Sequence, residues 1–259
     1  RAKAPPRGNR PPLKPLPAGA ASSSPQDTAP APEPAPEPQP VAGIPDPCSI
    51  DMPIDPRESA AEITDRAERE WGIRLTGSQW RDDEYRSIVQ LVTETFDAVD
   101  CTDYLDRVKQ GNGGSLAISS EPTPSWSWGD YGLTHPNTIT LDFVKFRQGY
   151  ADGDRGRLVR LVIHEMAHSL NADRHAEPAY WRSFNGVWNA KGPVSAYGST
   201  PTESFADAVG YYVARCANDN PYASGAHSEY YDYVRTNIFD GREFGGAVGT
   251  DQHCVIQGR

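Results

Sequence analysis

Leu161-Val162-Ile163-His164-Glu165-Met166-Ala167-His168-Ser169-Leu170 is the stretch that decides how this chain is read. His164 and His168 are one helical turn apart, so both imidazoles project from the same face and can grip a single metal ion. Glu165 follows the first histidine and stands beside that ion, where its carboxylate can take a proton from a water that zinc has activated. Leu158, Leu161, Val162, Ile163, Met166 and Leu170 recur at helical spacing and predict a helix over residues 153–171. Asp152 or Asp154 is available to cap its start and Asn171 to end it. A helix apolar around most of its circumference is a buried one, and two histidines and a glutamate in a core are destabilising without a partner. A metal is the simplest partner. The competing reading is a pair of core histidines satisfied by backbone carbonyls.

Catalytic zinc takes three protein ligands and leaves a fourth position open, so a further donor is needed downstream. A metzincin-like site would continue with a glycine three residues after the second histidine and another histidine three residues beyond it. Those positions hold Asn171 and Arg174, and His175 is one residue out of step. Glu203 is the better donor, in Thr202-Glu203-Ser204-Phe205-Ala206-Asp207-Ala208-Val209, a segment expected to be a helix opening after Thr200-Pro201. Glu203 and Asp207 share a helix face: the first can bind zinc while the second fixes the tautomer of a ligand histidine, His164 or His168. This is a gluzincin arrangement. Thr200 and Glu203 also fit a capping box, which would turn the carboxylate back onto the helix start.

With these residues in place, the sequence resembles the catalytic domain of the anthrax lethal factor family and the similar secreted Pro-Pro endopeptidases. The resemblance rests on Val162-Ile163-His164-Glu165-Met166-Ala167-His168 and on Ser195-Ala196-Tyr197-Gly198 followed by Glu203-Ser204-Phe205-Ala206-Asp207-Ala208, about 50 residues in all. It implies an α+β, zincin-like metalloprotease fold, with a small mixed sheet, the HExxH helix and a C-terminal helical part. It also implies a role for Tyr197, whose hydroxyl would stabilise the oxyanion of a tetrahedral intermediate. Tyr197 lies six residues before Glu203, one fewer than the family spacing, with Pro201 in the intervening loop.

The expected activity is that of a zinc endopeptidase: His164, His168 and Glu203 hold Zn²⁺, Glu165 is the base and Tyr197 steadies the oxyanion. Two rivals come from other classes, a secreted adhesion module with structural zinc and a zinc hydrolase of non-peptide amides such as cell-wall crosslinks.

Composition bounds the rest. The first 47 residues hold 15 of the chain's 24 prolines and few large apolar side chains, a composition that cannot offset its own ordering entropy. They are expected to be a disordered tail, with the alternating prolines of residues 29–38 as an extended spacer. Residues 48–259 are expected to form one metalloprotease domain, with an N-terminal helical part at 48–110 and a catalytic core at 111–259. A net charge of −10 disfavours nucleic acid. The partner implied is a protein or peptide substrate, and the chain is expected to be a monomer.

Cys48, Cys101, Cys216 and Cys254 show no CxxC spacing and are expected to pair as disulfides, with Cys48–Cys101 and Cys216–Cys254 preferred among three connectivities. No stretch reaches the apolar length of a membrane span. The chain begins at Arg1, so a targeting or anchoring segment is expected to have been removed, which with the disulfides predicts a secreted or surface-tethered protein.

Within the domain, helices are expected over Asp55–Trp71 and Ser78–Val99, a turn at Gly111-Asn112-Gly113-Gly114, and strands over Leu116–Ser119 and Asn137–Phe146. The second strand is the candidate edge on which an extended substrate would pair; an interior strand is the equal alternative. Ser125-Trp126-Ser127-Trp128-Gly129-Asp130-Tyr131 reads as an aromatic loop that either lines a cleft or, more readily, covers the core. Glu229-Tyr230-Tyr231-Asp232-Tyr233 reads as the packing face of a C-terminal helix.

Overall fold

A computed structural model describes residues 48–250 and 253–256; the expected tail at residues 1–47 lies outside them. The described chain is α+β, with eight helices and one four-stranded mixed sheet of order β1-β2-β4-β3. Strands β1 (Arg74–Thr76), β2 (Ala117–Ser119) and β4 (Ile139–Leu141) run parallel. β3 (Gly129–Tyr131) closes one edge antiparallel to β4, with Asp130 opposite Thr140.

Helix α1 (Ala60–Trp71) starts five residues later than Asp55, because the capping box of Ser59 and Glu62 fixes its first turn there and leaves Pro56 in the preceding turn. The expected Ser78–Val99 helix is broken. Two short 3₁₀ turns, Ser78–Arg81 and Asp83–Tyr85, precede α2 (Arg86–Val99), and Asp82 caps the second turn by accepting from the Glu84 N–H. β1, from the N-terminal part, joins the same sheet as the rest. α3 (Tyr104–Gly111) was not anticipated: its apolar contribution is only Tyr104, Leu105 and Val108, too few for a periodic signal.

The Asn137–Phe146 strand is corrected by the structure. Three of its residues form β4, and Asp142 then accepts a hydrogen bond from the Lys145 N–H (3.2 Å) and caps α4 (Phe143–Ala151). Phe143 and Phe146 are fully buried, one helical turn apart, so the residue that looked like the last tooth of a strand is the first of a helix. β4 also sits between β2 and β3, so it is an interior strand, and the edge belongs to the segment read as an aromatic loop.

Helix α5 (Arg155–Leu170) carries the histidine pair and runs through the middle of the core, in contact with α2, α3, α4, β3 and β4. Leu158, Val162, Ile163, Met166 and Leu170 are buried, each such side chain contributing about 1.5–3 kcal/mol by leaving water. Asp154 occupies the N-cap position but makes no side-chain cap bond, and Asn171 is the C-cap as expected. After α5 come α6 (Ala179–Lys191), also unanticipated, α7 (Pro201–Val213) and α8 (Ser228–Asn237). Tyr230 and Tyr233 of α8 are buried, as the aromatic run suggested. Disulfides Cys48–Cys101 and Cys216–Cys254 tie the start of the described chain to the end of α2 and the loop after α7 to the C-terminal segment. No helix among the described residues is long and apolar enough to cross a membrane.

Candidate metal centre

Helices α5 and α7 pack closely enough to bring three donors to one point. Gly210 allows this: a Cβ there would lie 2.8 Å from the Arg160 carbonyl oxygen and 3.5 Å from His164 Cβ, so a larger residue would push α7 off α5. His164 Nε2 is then 3.1 Å from His168 Nε2 and 3.3 Å from Glu203 Oε2, and His168 Nε2 is 3.4 Å from the same oxygen. Ligands about 2.1 Å from a tetrahedral ion stand about 3.4 Å from one another, so this triangle has the dimensions of one face of such a site. The group could hold a metal ion.

The polar bookkeeping supports the fit. Glu203 Oε2 is buried and has no hydrogen-bonding geometry to either histidine despite its proximity to both. His164 Nδ1 is 2.9 Å from Asp207 Oδ1, which directs the Nε2 lone pair of the neutral ring toward Glu203 and His168. Three electron-pair donors converging on one point are mutually repulsive until a cation sits among them. Without one, protonation is the substitute. Burial alone would lower the pKa of His164, but its hydrogen bond to Asp207 and the adjacent Glu203 carboxylate raise it to about 9. Burial would raise Glu203, yet the two histidines hold its carboxyl well below the usual range. A metal needs the neutral imidazole, so its binding near pH 7 displaces a proton.

The alternative role of Glu203 in a capping box is half realised. Thr200 Oγ1 accepts from the Glu203 N–H (3.3 Å), while the Glu203 carboxylate turns away from the helix start to the histidines. Cap and donor are therefore supplied by different parts of one residue pair.

Asp207 is fully buried and orients His164, not His168. It also accepts from Ser195 Oγ and lies 3.4 Å from Arg160 Nη1. Replacing Asp207 by Asn keeps size and shape but removes the charge behind His164, and should weaken metal affinity about 10- to 100-fold. Competition with a chromophoric chelator measures this, and unchanged affinity would make Asp207 a purely structural group.

Glu165 points into the cleft beside the donors. It is buried and makes no hydrogen bond among the described residues, and burial raises its pKa against the lowering influence of both histidines. A carboxylate kept buried and unpartnered is costly for a fold and suited to accepting a proton. β3 presses directly on it: a Cβ on Gly129 would lie 2.9 Å from Glu165 Cγ.

Tyr197 is 62% exposed, its ring centroid 5.9 Å from that of His164. Its loop is fastened to α7 at two points, Ser195 on Asp207 and the Gly198 carbonyl accepting from Ser204 Oγ (2.5 Å). Partial burial and the Glu203 and Glu165 carboxylates raise its pKa, so the hydroxyl remains a donor.

Two cavities of about 400 and 410 Å³ flank the donors and share Trp126, Ser127, Gly129, His164, Glu165 and Tyr197, forming the two lobes of one cleft. One lobe adds Asp130, Tyr131, Leu133, His168, Arg174, Thr202 and Glu203; the other adds Trp128, Arg157, Arg160, Leu161, Ser195, Ala196 and Tyr211. The aromatic segment divides between its two readings. Trp126 is 71% exposed over the cleft, whereas Trp128 is partly buried, packing against the core while it also lines the second lobe. Lys145 Nζ anchors this rim by donating to the Pro124 (2.8 Å) and Ser127 (2.6 Å) carbonyls.

The sequence reading missed Gly129 and the edge strand, because a three-residue strand with glycine has no alternation to detect. Arg157 and Arg160 were missed although their spacing to His164, seven and four residues, places them on its helix face. No family model matches this chain, and neither a search of curated proteins nor one of solved structures returns a match.

Proposed function

We propose that this chain is a zinc endopeptidase of gluzincin type with a zincin-like catalytic domain, secreted or held at a surface outside the cytoplasm. The observation that carries the reading is the triangle of His164, His168 and Glu203 with the unpartnered Glu165 beside it, in a cleft bordered by a sheet edge. The similarity of its two motifs to the lethal factor and Pro-Pro endopeptidase family adds weight, and two disulfides suit an oxidising compartment.

His164, His168 and Glu203 would hold the zinc, with Asp207 fixing the tautomer of His164. Zinc in such a site lowers the pKa of a water and polarises a carbonyl. Glu165 takes the proton lost by the water onto a carboxylate oxygen and returns it to the leaving amine. The Tyr197 hydroxyl donates to the oxygen on which negative charge develops. The outer edge of β3 offers its backbone N–H and C=O groups to an extended peptide, which lays the cut bond across Glu165.

Metal analysis after dialysis against zinc should find about one ion per chain. Cleavage of a random peptide library should stop with a chelator and return with added zinc. A chain that emerges without metal would remove the proposal.

A further inference from the structure

We propose that the lobe bounded by Trp128, Arg157, Arg160 and Tyr211 is a carboxylate-recognition subsite for the stretch of peptide C-terminal to the cut bond. This rests on the endopeptidase reading and names a substrate class for it.

The charge of the lobe is the first argument. The chain carries a net charge of −10, and Glu165, Glu203 and Asp207 cluster at the donors, so an acidic peptide would be repelled from most of this surface. In this lobe the sign reverses. The Arg157 guanidinium lies 4.1 Å from the centroid of the Trp128 ring, and the Arg160 guanidinium lies 4.7 Å from that of Tyr211. Each guanidinium is braced over an aromatic ring, and its fork of N–H donors suits a planar bidentate partner. One of the Arg160 donors reaches Asp207, and Arg157 makes no ion pair among the described residues. Two aromatic-braced arginines on one cleft wall match carboxylate geometry better than any neutral group.

Direction follows from the sheet. β3 has one outer edge, and antiparallel pairing is the more stable way for a peptide to use it. Tyr131, at the C-terminal end of β3, lines the other lobe, and Trp128, just before its N-terminal end, lines this one. An antiparallel peptide therefore enters past Tyr131 and leaves past Trp128, so the arginine lobe receives its C-terminal half. Arg160 and Arg157 precede His164 by four and seven residues, about 6 and 10 Å of helix rise, which is two or three residues of extended chain. The carboxylate belongs two or three residues beyond the cut bond.

A random peptide library, prepared once with free C-termini and once as C-terminal amides, tests this in two ways. Peptides retained by zinc-loaded Glu165→Gln protein are sequenced, and cleavage sites of the native protein are mapped by mass spectrometry. Asp and Glu should exceed Asn and Gln about tenfold at those positions, as charge-assisted bonds would give. Enrichment in the amide library identifies a side-chain carboxylate; enrichment confined to the free-acid library identifies the chain terminus. Arg157→Glu should reverse the preference toward Lys and Arg. Cleavage without acid preference, a preference unchanged in Arg157→Glu, or one on the N-terminal side overturns the subsite and leaves the endopeptidase standing. Acid-selective retention without cleavage by native protein does the opposite. Neither retention nor cleavage overturns both.

Discussion

Glu165→Gln is expected to retain zinc at the native level and to lose about a hundred- to ten-thousand-fold in peptide hydrolysis. The substitution is isosteric, and it replaces a buried carboxylate that has no hydrogen-bond partner among the described residues, so no hydrogen bond of the fold is lost with it. Only the ability to hold a proton is removed. The close approach of Gly129 limits where that side chain can sit, and Gln fills the same space. The metal arithmetic separates the roles, because His164, His168 and Glu203 supply the donor triangle without Glu165. Zinc content by elemental analysis and initial rates on a library substrate, measured on one preparation, decide the matter. Full hydrolysis by the variant would remove Glu165 as the base, whereas lost zinc would show that it supports the site structurally.

How much of this was legible beforehand depended on the kind of signal each residue leaves. α5 was readable because sixteen residues of buried helix impose a period that survives the insertion of two histidines and a glutamate. α7 was readable from Thr200-Pro201 at its start, and the structure places Pro201 at its first helical position. Of the sheet, β2 was readable within Leu116–Ser119 and β4 within Asn137–Phe146, whereas β1 and β3 were not, three-residue strands being below the length at which alternation differs from chance. At Asn137–Phe146 two periods overlap, and the Asp142 side chain, accepting from the Lys145 N–H, caps the second half as a helix whose first turn buries Phe143 and Phe146. Local caps of this kind outweigh weak propensity.

The same division holds in the site. Donors fixed by spacing on one helix, His164 and His168, could be paired from sequence alone. Glu203 and Asp207 could be assigned to one face, but which histidine Asp207 would orient depended on how α7 crosses α5, and that crossing is set by Gly210 meeting the Arg160 carbonyl. Tyr197 came from a resemblance, and its distance from the donors reflects a loop held by Ser195 and Ser204, whose bonds have no sequence period at all. Long-range contacts between short polar side chains are what a single sequence conceals best.

Glu203→Ala is expected to lower zinc affinity by at least about a hundredfold while leaving α7 intact, the reverse of what a helix cap would do. In the native chain the Thr200 hydroxyl accepts from the residue 203 N–H, and alanine keeps that N–H. Thr200→Ala removes the cap instead, at a cost of about 1 kcal/mol, and leaves the Glu203 carboxylate to face the histidines. The pair of variants therefore separates two functions that one sequence motif had merged. Zinc at a hundred times its Kd stabilises a folded protein by about 2.7 kcal/mol, so the zinc-induced rise in Tm is the readout. It should persist in Thr200→Ala from a lower baseline and shrink in Glu203→Ala to the equivalent of about 0.4 kcal/mol or less at the same zinc concentration. A full zinc-induced rise in Glu203→Ala would leave the ion with two histidines and no carboxylate, and the gluzincin reading would fall with it.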